Sequence, residues 1–367
     1  MSPRTVEPPP LRRLIVPALF VGALFVALLL RQPDGPGMPD QWVITGSAMG
    51  TGFTVKVVVP DGAGVSQEGT AAAVREVVDE VDRAMSTYLP DSELSRFNRH
   101  GTDPFPASDA LREVISEALR VARLSDGAFD ITVGPLVDAW GFGPTPRNQP
   151  PGEVEIAALL AATGSEYLVV DPERGTLRKL RPGLGGDLSA IAKGYGVDRV
   201  AERLLELGLG DHMVEIGGEV RAAGVNADGQ VWRIGVERPE AGRRSVWTAV
   251  PLADLAMATS GDYRNYVESD GVRISHTIDP RTSRPISHSL ASVTVLHPSC
   301  MTADALATAL NVLGPDQARA LADREGLAVL LLVRDPAGSF GEWTSDGWVE
   351  TVGNTGDAED VVSGEEI

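Results

Sequence analysis

The chain has 367 residues and a formal net charge of −19, which is enough for one large domain or two modest ones with a sizeable core. The strong acidic excess argues against nucleic acid as a partner. Cys300 is the single cysteine of the sequence, so the chain can form neither an intramolecular disulfide nor a cysteine-rich zinc site.

The N-terminal segment predicts a membrane anchor. Arg12 and Arg13 precede an apolar run from Leu14 to Leu30, which as a helix would be roughly 25 Å long, near the lower limit for crossing a bilayer. No cleavage site and no lipid-accepting cysteine follows, so an uncleaved signal anchor is favoured over a removed signal or a buried helix. Because arginines stay in the cytoplasm, we expect a single-pass protein of the cytoplasmic membrane with an extracytoplasmic catalytic domain.

This interpretation divides the chain into four regions. We expect a signal anchor at residues 1–31, a Pro/Gly-rich linker at 32–41, one catalytic domain at 42–350 and an acidic, disordered tail at 351–367.

Strand and helix patterns alternate after the linker. A β-branched strand at residues 53–59 precedes a helix with apolar residues from Val74 to Met85, and a second amphipathic helix begins after Ser108 as its N-cap. A turn at 171–175 joins two short strands, and a helix is predicted from Asp187 to Leu207.

The remaining elements complete the fold prediction. Strands are predicted at 213–216, 232–236, 291–296 and 327–333, and helices at 302–313 and 315–324. Because the strands lack a regular βαβ rhythm, we expect an α+β fold with largely antiparallel sheets, formed by a single compact domain.

A glycine-rich stretch enters a predicted helix at residues 185–196. Free amides and the positive end of a helix dipole suit a phosphate or diphosphate there, and Lys193 would add a cation. The alternative is that Asp187 only caps the helix and Lys193 is solvated. The stretch lacks the third glycine of a dinucleotide fingerprint, and the chain has no P-loop motif. The pair Gly217-Gly218 equally fits close approach to a ligand or a bulge.

Two further groups of residues could carry chemistry. Asp304 and Thr308 lie one helical turn apart and offer the oxygen ligands that Mg²⁺ accepts, although helix capping would also explain them. His276 lies in a turn-prone stretch and could be a general base or a structural histidine. A zinc site formed by His276 and Asp279 with His288 and His297 is a weaker alternative, because the spacing matches no zinc motif.

Several short motifs occur in the order shown by one known family. They are Met49-Gly50-Thr51, Ser86-Thr87-Tyr88 with residues 92–98, Gly127-Ala128-Phe129-Asp130, Trp140-Gly141-Phe142-Gly143, residues 187–194, Ile216-Gly217-Gly218, and residues 259–263, 276–281 and 303–310. In these motifs the chain resembles the FAD:protein FMN transferases of the ApbE family, from about residue 47 to about residue 314.

The resemblance implies an α+β catalytic domain with FAD as substrate and Mg²⁺ as cofactor. FAD would be held by Met49, Tyr88, Ala128, Phe129, Asp130, Asp187, Lys193 and Ile278. Mg²⁺ would be bound by the main-chain oxygen of Ala190 together with Asp304 and Thr308. At the position of Lys193 some relatives carry an acidic residue.

The implied reaction transfers the FMN half of FAD to a threonine or serine hydroxyl of an acceptor protein and releases AMP. In this family the acceptor is typically an exported subunit of a redox complex, and His276 is the expected base. Two alternatives stay open, an FAD pyrophosphatase and a non-catalytic extracytoplasmic FAD-binding protein. The second would need neither the Asp304 and Thr308 pair nor His276.

Overall fold

The computed structural model describes residues 40–143, 147, 149–240, 245–261, 266–269 and 272–352. The strands within these ranges are β1 (Asp40–Ala48), β2 (Thr51–Val59), β3 (Phe105–Pro106), β4 (Leu168–Asp171), β5 (Thr176–Lys179), β6 (His212–Ile216), β7 (Glu219–Ala223), β8 (Trp232–Glu237), β9 (Val246–Leu252), β10 (Leu255–Gly261), β11 (Tyr266–Ser269), β12 (Val272–Ser275), β13 (Ile278–Asp279), β14 (Arg284–Pro285), β15 (Leu290–His297), β16 (Ala328–Arg334) and β17 (Phe340–Thr344).

The α-helices of the same ranges vary widely in length. They are α1 (Gln67–Met85), α2 (Glu93–Arg99), α3 (Asp109–Leu124), α4 (Gly134–Ala139), α5 (Glu153–Ala161), α6 (Ala192–Glu206), α7 (Cys300–Glu325) and α8 (Asp346–Val352). Two single 3₁₀ turns occur at Ile131–Val133 and Ser165–Tyr167.

One large sheet organises these elements. Its eight strands lie in the order β1-β2-β6-β7-β10-β15-β16-β17, and each neighbouring pair is antiparallel. Smaller sheets pair β3, β5 and β4, β8 with β9, β11 with β12, and β13 with β14. The described residues therefore confirm the prediction of an α+β fold with antiparallel sheets.

The large sheet is covered on both faces. On one face α6 packs with β2 and α1 through buried Val200, Val55 and Val78, and α7 packs beside it against β10 and β15. On the other face the β8–β9 hairpin and Trp348 of α8 form a second apolar layer. β15 is buried from both sides, so every residue except His297 is buried and burial does not alternate along the strand.

The seven predicted strands agree with observed strands within about two residues, but the start of one predicted helix was wrong. The helix predicted from Asp187 begins only at Ala192, because residues 187–191 form a loop that hydrogen-bonds to other elements. The two helices predicted at 302–313 and 315–324 are confirmed as the two halves of α7, which meet at a kink where Gly314 has φ 76°. Pro315 can follow there because the preceding residue is not in the helical conformation.

The predicted signal anchor, almost all of the linker and almost all of the acidic tail lie outside the described residues. The chain divides into two units, residues 1–39 and 40–367, and every described residue belongs to the second. Within the described part, no helix combines the length and the apolar character that crossing a membrane requires.

Candidate active site

The loop before α6 is held in place by two other elements. The Asn98 side chain donates to the Gly186 oxygen at 2.8 Å and accepts from the Gly186 N–H at 2.7 Å. The Asp187 N–H donates to the Ile131 oxygen at 2.6 Å, and the Asp187 carboxylate accepts from the Ser189 N–H at 2.8 Å. Asp187 thus caps a turn inside the loop rather than α6, so the predicted helix N-cap was wrong.

The first turn of α6 packs against the first turn of α7 at very short range. A Cβ atom added to Gly194 would lie 2.3 Å from the Cys300 oxygen and 2.9 Å from the Asp304 Cβ. Only glycine permits this approach, and it allows the Gly194 N–H to donate to Asp304 Oδ2 at 3.1 Å. In a regular helix the same N–H would donate to the Ala190 oxygen, four residues earlier.

Ala190 precedes the cap residue of α6, so its oxygen is not part of the helical ladder. Among the described residues no backbone N–H donates to this oxygen. Asp304 is buried inside α7, and Thr308 lies one turn further along the same helix, half-buried. The helix cap of α7 is Ser299, so capping does not explain Asp304. A carboxylate, a free carbonyl and a hydroxyl are hard oxygen donors, and this set fits Mg²⁺.

A buried ion cluster adjoins Asp304. Lys193 Nζ lies 2.9 Å from Glu219 Oε1 and 3.5 Å from Asp304 Oδ1. Burial alone would lower the pKa of Lys193, but the carboxylates of Asp304 and Glu219 raise it above its ordinary value. Burial raises the pKa of Glu219, while the Lys193 ammonium 2.9 Å away opposes the rise and Asp304 adds to it. The ammonium is thus firmly charged, so Lys193 is not a solvated helix residue.

Two more motif residues, Met49 and Gly217, lie against the first turns of α6. Met49 has φ 54° in the turn between β1 and β2, and its Sδ would lie 3.5 Å from a Cβ added to Gly196 of α6. A Cβ added to Gly217, which has φ 63°, would lie 3.1 Å from Lys193 Cδ. The first of the paired glycines therefore permits close approach of the Lys193 stem, and its positive φ favours glycine independently.

His276 lies on a separate hairpin that contacts the tryptophan motif. Its ring packs edge-on against Phe142, with ring centroids 6.4 Å apart, and Trp140 Nε1 donates to the Ser283 oxygen at 2.9 Å. In the same hairpin Arg281 binds both oxygens of Asp279, at 3.0 Å and 2.9 Å. Both carboxylate oxygens of Asp279 are thus engaged by the guanidinium.

The other residues expected to contact FAD differ in how they could do so. Tyr88 is 69% exposed, whereas Ala128, Phe129 and Ile278 are almost completely buried, so of these four residues Tyr88 presents the most surface to a ligand. Asp130 accepts from the N–H groups of Thr132 and Ser165, and both of its oxygens have protein partners.

A second acidic position lies near the loop. Burial and the neighbouring Asp187 raise the pKa of Asp138 above its ordinary value. A Cβ added to Gly134 would lie 3.5 Å from the Asp187 Cβ, so the start of α4 abuts the loop. Asp187, within the loop before α6, thus lies against the start of α4, the helix that ends just before Trp140.

Comparison with known proteins decides the family. The profile of the ApbE family matches residues 49–331. The FAD:protein FMN transferase of Vibrio cholerae is 46% identical over 325 residues, which cover 88% of this chain and 96% of that protein. The Escherichia coli K12 protein of the same name is 38% identical over 321 residues, with 86% and 90% coverage. This chain belongs to the ApbE family.

Solved structures agree with this assignment. The flavin transferase ApbE from Vibrio cholerae superimposes with a TM-score of 0.79 at 44% identity, covering 86% of this chain and all of that structure. The apo flavinyl transferase ApbE of Pseudomonas stutzeri has a TM-score of 0.79 at 40% identity, with 86% and 98% coverage. The described domain therefore has the ApbE fold.

Two residues of this ApbE domain were missed in the sequence. Glu219 directly follows Gly217-Gly218 at the start of β7, where both Glu219 and Val220 are buried, so strand alternation gave no signal for it. Asp198 of α6 accepts from the N–H groups of Cys300 and Met301 at 3.0 Å and binds Arg221 at 2.7 Å. It fixes the start of α7, and no local pattern marks it.

Among the described residues, no three or more histidine, cysteine, aspartate or glutamate side chains come together as a group that could hold a metal ion. The structure thus gives no support to the zinc alternative with His276, Asp279, His288 and His297. The oxygen set around Asp304 differs in kind, because two of its three members are a main-chain carbonyl and a threonine hydroxyl.

Proposed function

We propose that this ApbE-family chain is an Mg²⁺-dependent FAD:protein FMN transferase that attaches FMN to a threonine or serine hydroxyl of another protein. Its relatives over more than 80% of the chain carry that name. The observation that carries the proposal is the junction of α6 and α7, where Lys193 Nζ lies 3.5 Å from Asp304 Oδ1 and the Gly194 N–H donates to Asp304 Oδ2. Such a place suits a divalent cation and a diphosphate together.

The oxygens of Ala190, Asp304 and Thr308 would hold Mg²⁺, which when bound supplies charge neutralisation for the diphosphate. Lys193 adds a positive charge beside it. Met49 and the exposed ring of Tyr88 offer contact area for the flavin ring system, and the loop ending at Asp187 lies at the entrance to α6. These residues bind and orient FAD, which is the main contribution a protein makes to phosphoryl transfer.

The transfer forms one bond and breaks one. The acceptor hydroxyl oxygen bonds to the phosphorus of the FMN half, and the bond from that phosphorus to the bridging oxygen breaks, so that AMP leaves with the bridging oxygen. His276 takes the hydroxyl proton on an imidazole nitrogen. The pairing of Asp279 with Arg281 favours His276 over Asp279 for this role.

A direct experiment tests the activity. The full-length chain in detergent is incubated with FAD, Mg²⁺ and candidate exported redox-complex subunits, and the denaturing gel is scanned for flavin fluorescence. A fluorescent acceptor band that requires both FAD and Mg²⁺ supports the transferase. Consumption of FAD to FMN and AMP without any fluorescent protein band would instead indicate a pyrophosphatase.

The proposed location is the cytoplasmic membrane, with one N-terminal span and the ApbE domain outside the cytoplasm. The apolar run from Leu14 to Leu30 after two arginines supports it. An alkaline phosphatase fusion after Gly37 should be active in cells. Activity of a cytoplasmic reporter at the same position, with an inactive phosphatase fusion, would contradict this location.

A further inference from the structure

The ammonium of Lys193 shares the carboxylate that is proposed to hold Mg²⁺. Lys193 Nζ lies 3.5 Å from Asp304 Oδ1, and Asp304 is the one ionisable side chain among the proposed ligands. Lys193, Glu219 and Asp304 together carry a formal charge of −1, from one positive and two negative groups. A divalent cation bound at Asp304 would therefore lie near a like charge in a poorly solvated place, where repulsion is strong.

The surroundings of Lys193 permit its ammonium to move. The side chain is 26% exposed, whereas those of Glu219 and Asp304 are each 5% exposed. A lysine stem has four flexible carbons, and Gly217 presents no side chain toward Lys193 Cδ. The position of the ammonium is thus less constrained than the positions of the two carboxylates.

Glu219 offers the ammonium a second acceptor. Its Oε1 is already the nearer carboxylate atom, at 2.9 Å. Its Oε2 is buried and has no hydrogen-bond partner among the described residues, and an unsatisfied buried carboxylate oxygen is costly. An ion pair that only stabilises the fold needs one carboxylate. Here Lys193 has a second carboxylate, Glu219, whose Oε2 accepts no hydrogen bond from the described residues.

We infer that Lys193 competes with the divalent cation for Asp304, and that Glu219 is the positioning residue that keeps the ammonium when the cation binds. This inference rests on the Mg²⁺ site of the proposed function. In the metal-bound protein the ammonium then lies between Glu219 and the diphosphate of the substrate. The Lys193–Glu219 pair thus determines the affinity of the site for its metal ion.

Four variants separate competition from simple charge. Lys193→Met changes the cluster charge to −2, and Glu219→Gln changes it to 0. The double variant with both substitutions keeps the parent value of −1 but has no ammonium, and it leaves no unpaired buried Lys–Glu partner that would threaten folding. Lys56→Met on β2 removes one positive charge outside the cluster of Lys193, Glu219 and Asp304, and it is the control.

Binding of Mn²⁺ to each full-length variant in detergent is measured by electron paramagnetic resonance, and Mg²⁺ by displacement of Mn²⁺. We expect the double variant and Lys193→Met to bind either metal about tenfold more tightly than the parent. Glu219→Gln should bind about tenfold more weakly, and Lys56→Met should match the parent. FAD affinity at saturating Mg²⁺ should fall in Lys193→Met, although metal affinity rises.

The results distinguish the inference from the function on which it rests. Metal affinity in the double variant equal to or below the parent value would overturn the competition between Lys193 and the cation. A structural role of Lys193 alone would weaken metal and FAD binding together in Lys193→Met, which also overturns it. If the folded parent binds neither metal while Asp304→Asn behaves identically, the proposed Mg²⁺ site itself fails, and the inference fails with it.

Discussion

Gly194→Ala tests the close contact between α6 and α7 on which the site depends. The added Cβ would lie 2.3 Å from the Cys300 oxygen, whereas such contacts are essentially never shorter than 3.0 Å, so the helices must separate by about 0.7 Å. Overpacking costs about 1–3 kcal/mol, and the hydrogen bond from Gly194 to the charged Asp304 contributes about 1.5–3 kcal/mol. Alanine recovers about 1 kcal/mol through its helix propensity.

We therefore expect the free energy of unfolding of Gly194→Ala to fall by about 3 kcal/mol. Gly196→Ala is the matched control, because its added Cβ would meet Ile216 Cδ1 at 3.4 Å and Met49 Sδ at 3.5 Å, which is ordinary contact. This variant should equal the parent or gain up to about 1 kcal/mol. Urea unfolding followed by tryptophan fluorescence gives both values. Equal midpoints for Gly194→Ala and the parent would refute the contact described here.

Three further predictions address the metal, the base and pH. Asp304→Asn should lower flavin transfer by about two orders of magnitude or more at limiting Mg²⁺ in the fluorescence assay, and parental activity would place the cation elsewhere. His276→Ala should slow single-turnover transfer about a hundredfold while FAD affinity and Tm stay near the parent; a joint loss of Tm and FAD affinity would indicate a structural histidine. Burial lowers the pKa of His212 in the folded protein. The neutral imidazole therefore contributes its full stability above the pKa of the unfolded chain, and this contribution is lost as pH falls below about 6.5. In that pH range the urea midpoint of His212→Gln should depend less on pH than that of the parent.

Local pattern was sufficient for seven of the seventeen described strands and for α3. Ser108 caps that helix through the Leu111 N–H, as the sequence predicted, because capping depends on residues three positions apart. The order of the strands was not predictable, since β2 lies beside β6 across more than 150 residues of chain. Such pairing depends on which apolar faces meet and not on any local signal.

The start of α6 shows the same limit at the site. Residues 187–191 look helical in sequence, but Asn98 and Ile131 hold the preceding loop from elsewhere in the chain. The motif residues Lys193 and Asp304 were identified, whereas Glu219, the second carboxylate beside Lys193, was missed. A buried acidic residue beside a lysine that is distant in sequence can be recognised only when the position of its strand in the sheet is known.

The central claim is that the chain joins FMN to a protein hydroxyl and releases AMP. The most direct measurement is a single-turnover reaction of the full-length chain with FAD, Mg²⁺ and an acceptor subunit, in which released AMP is quantified and acceptor peptides are analysed by mass spectrometry. The account predicts one AMP for each FMN found as a phosphoester on a threonine or serine. The acceptor should be one that another ApbE transferase modifies. Release of AMP with an equal amount of free FMN, and without any modified acceptor peptide, would contradict this reaction.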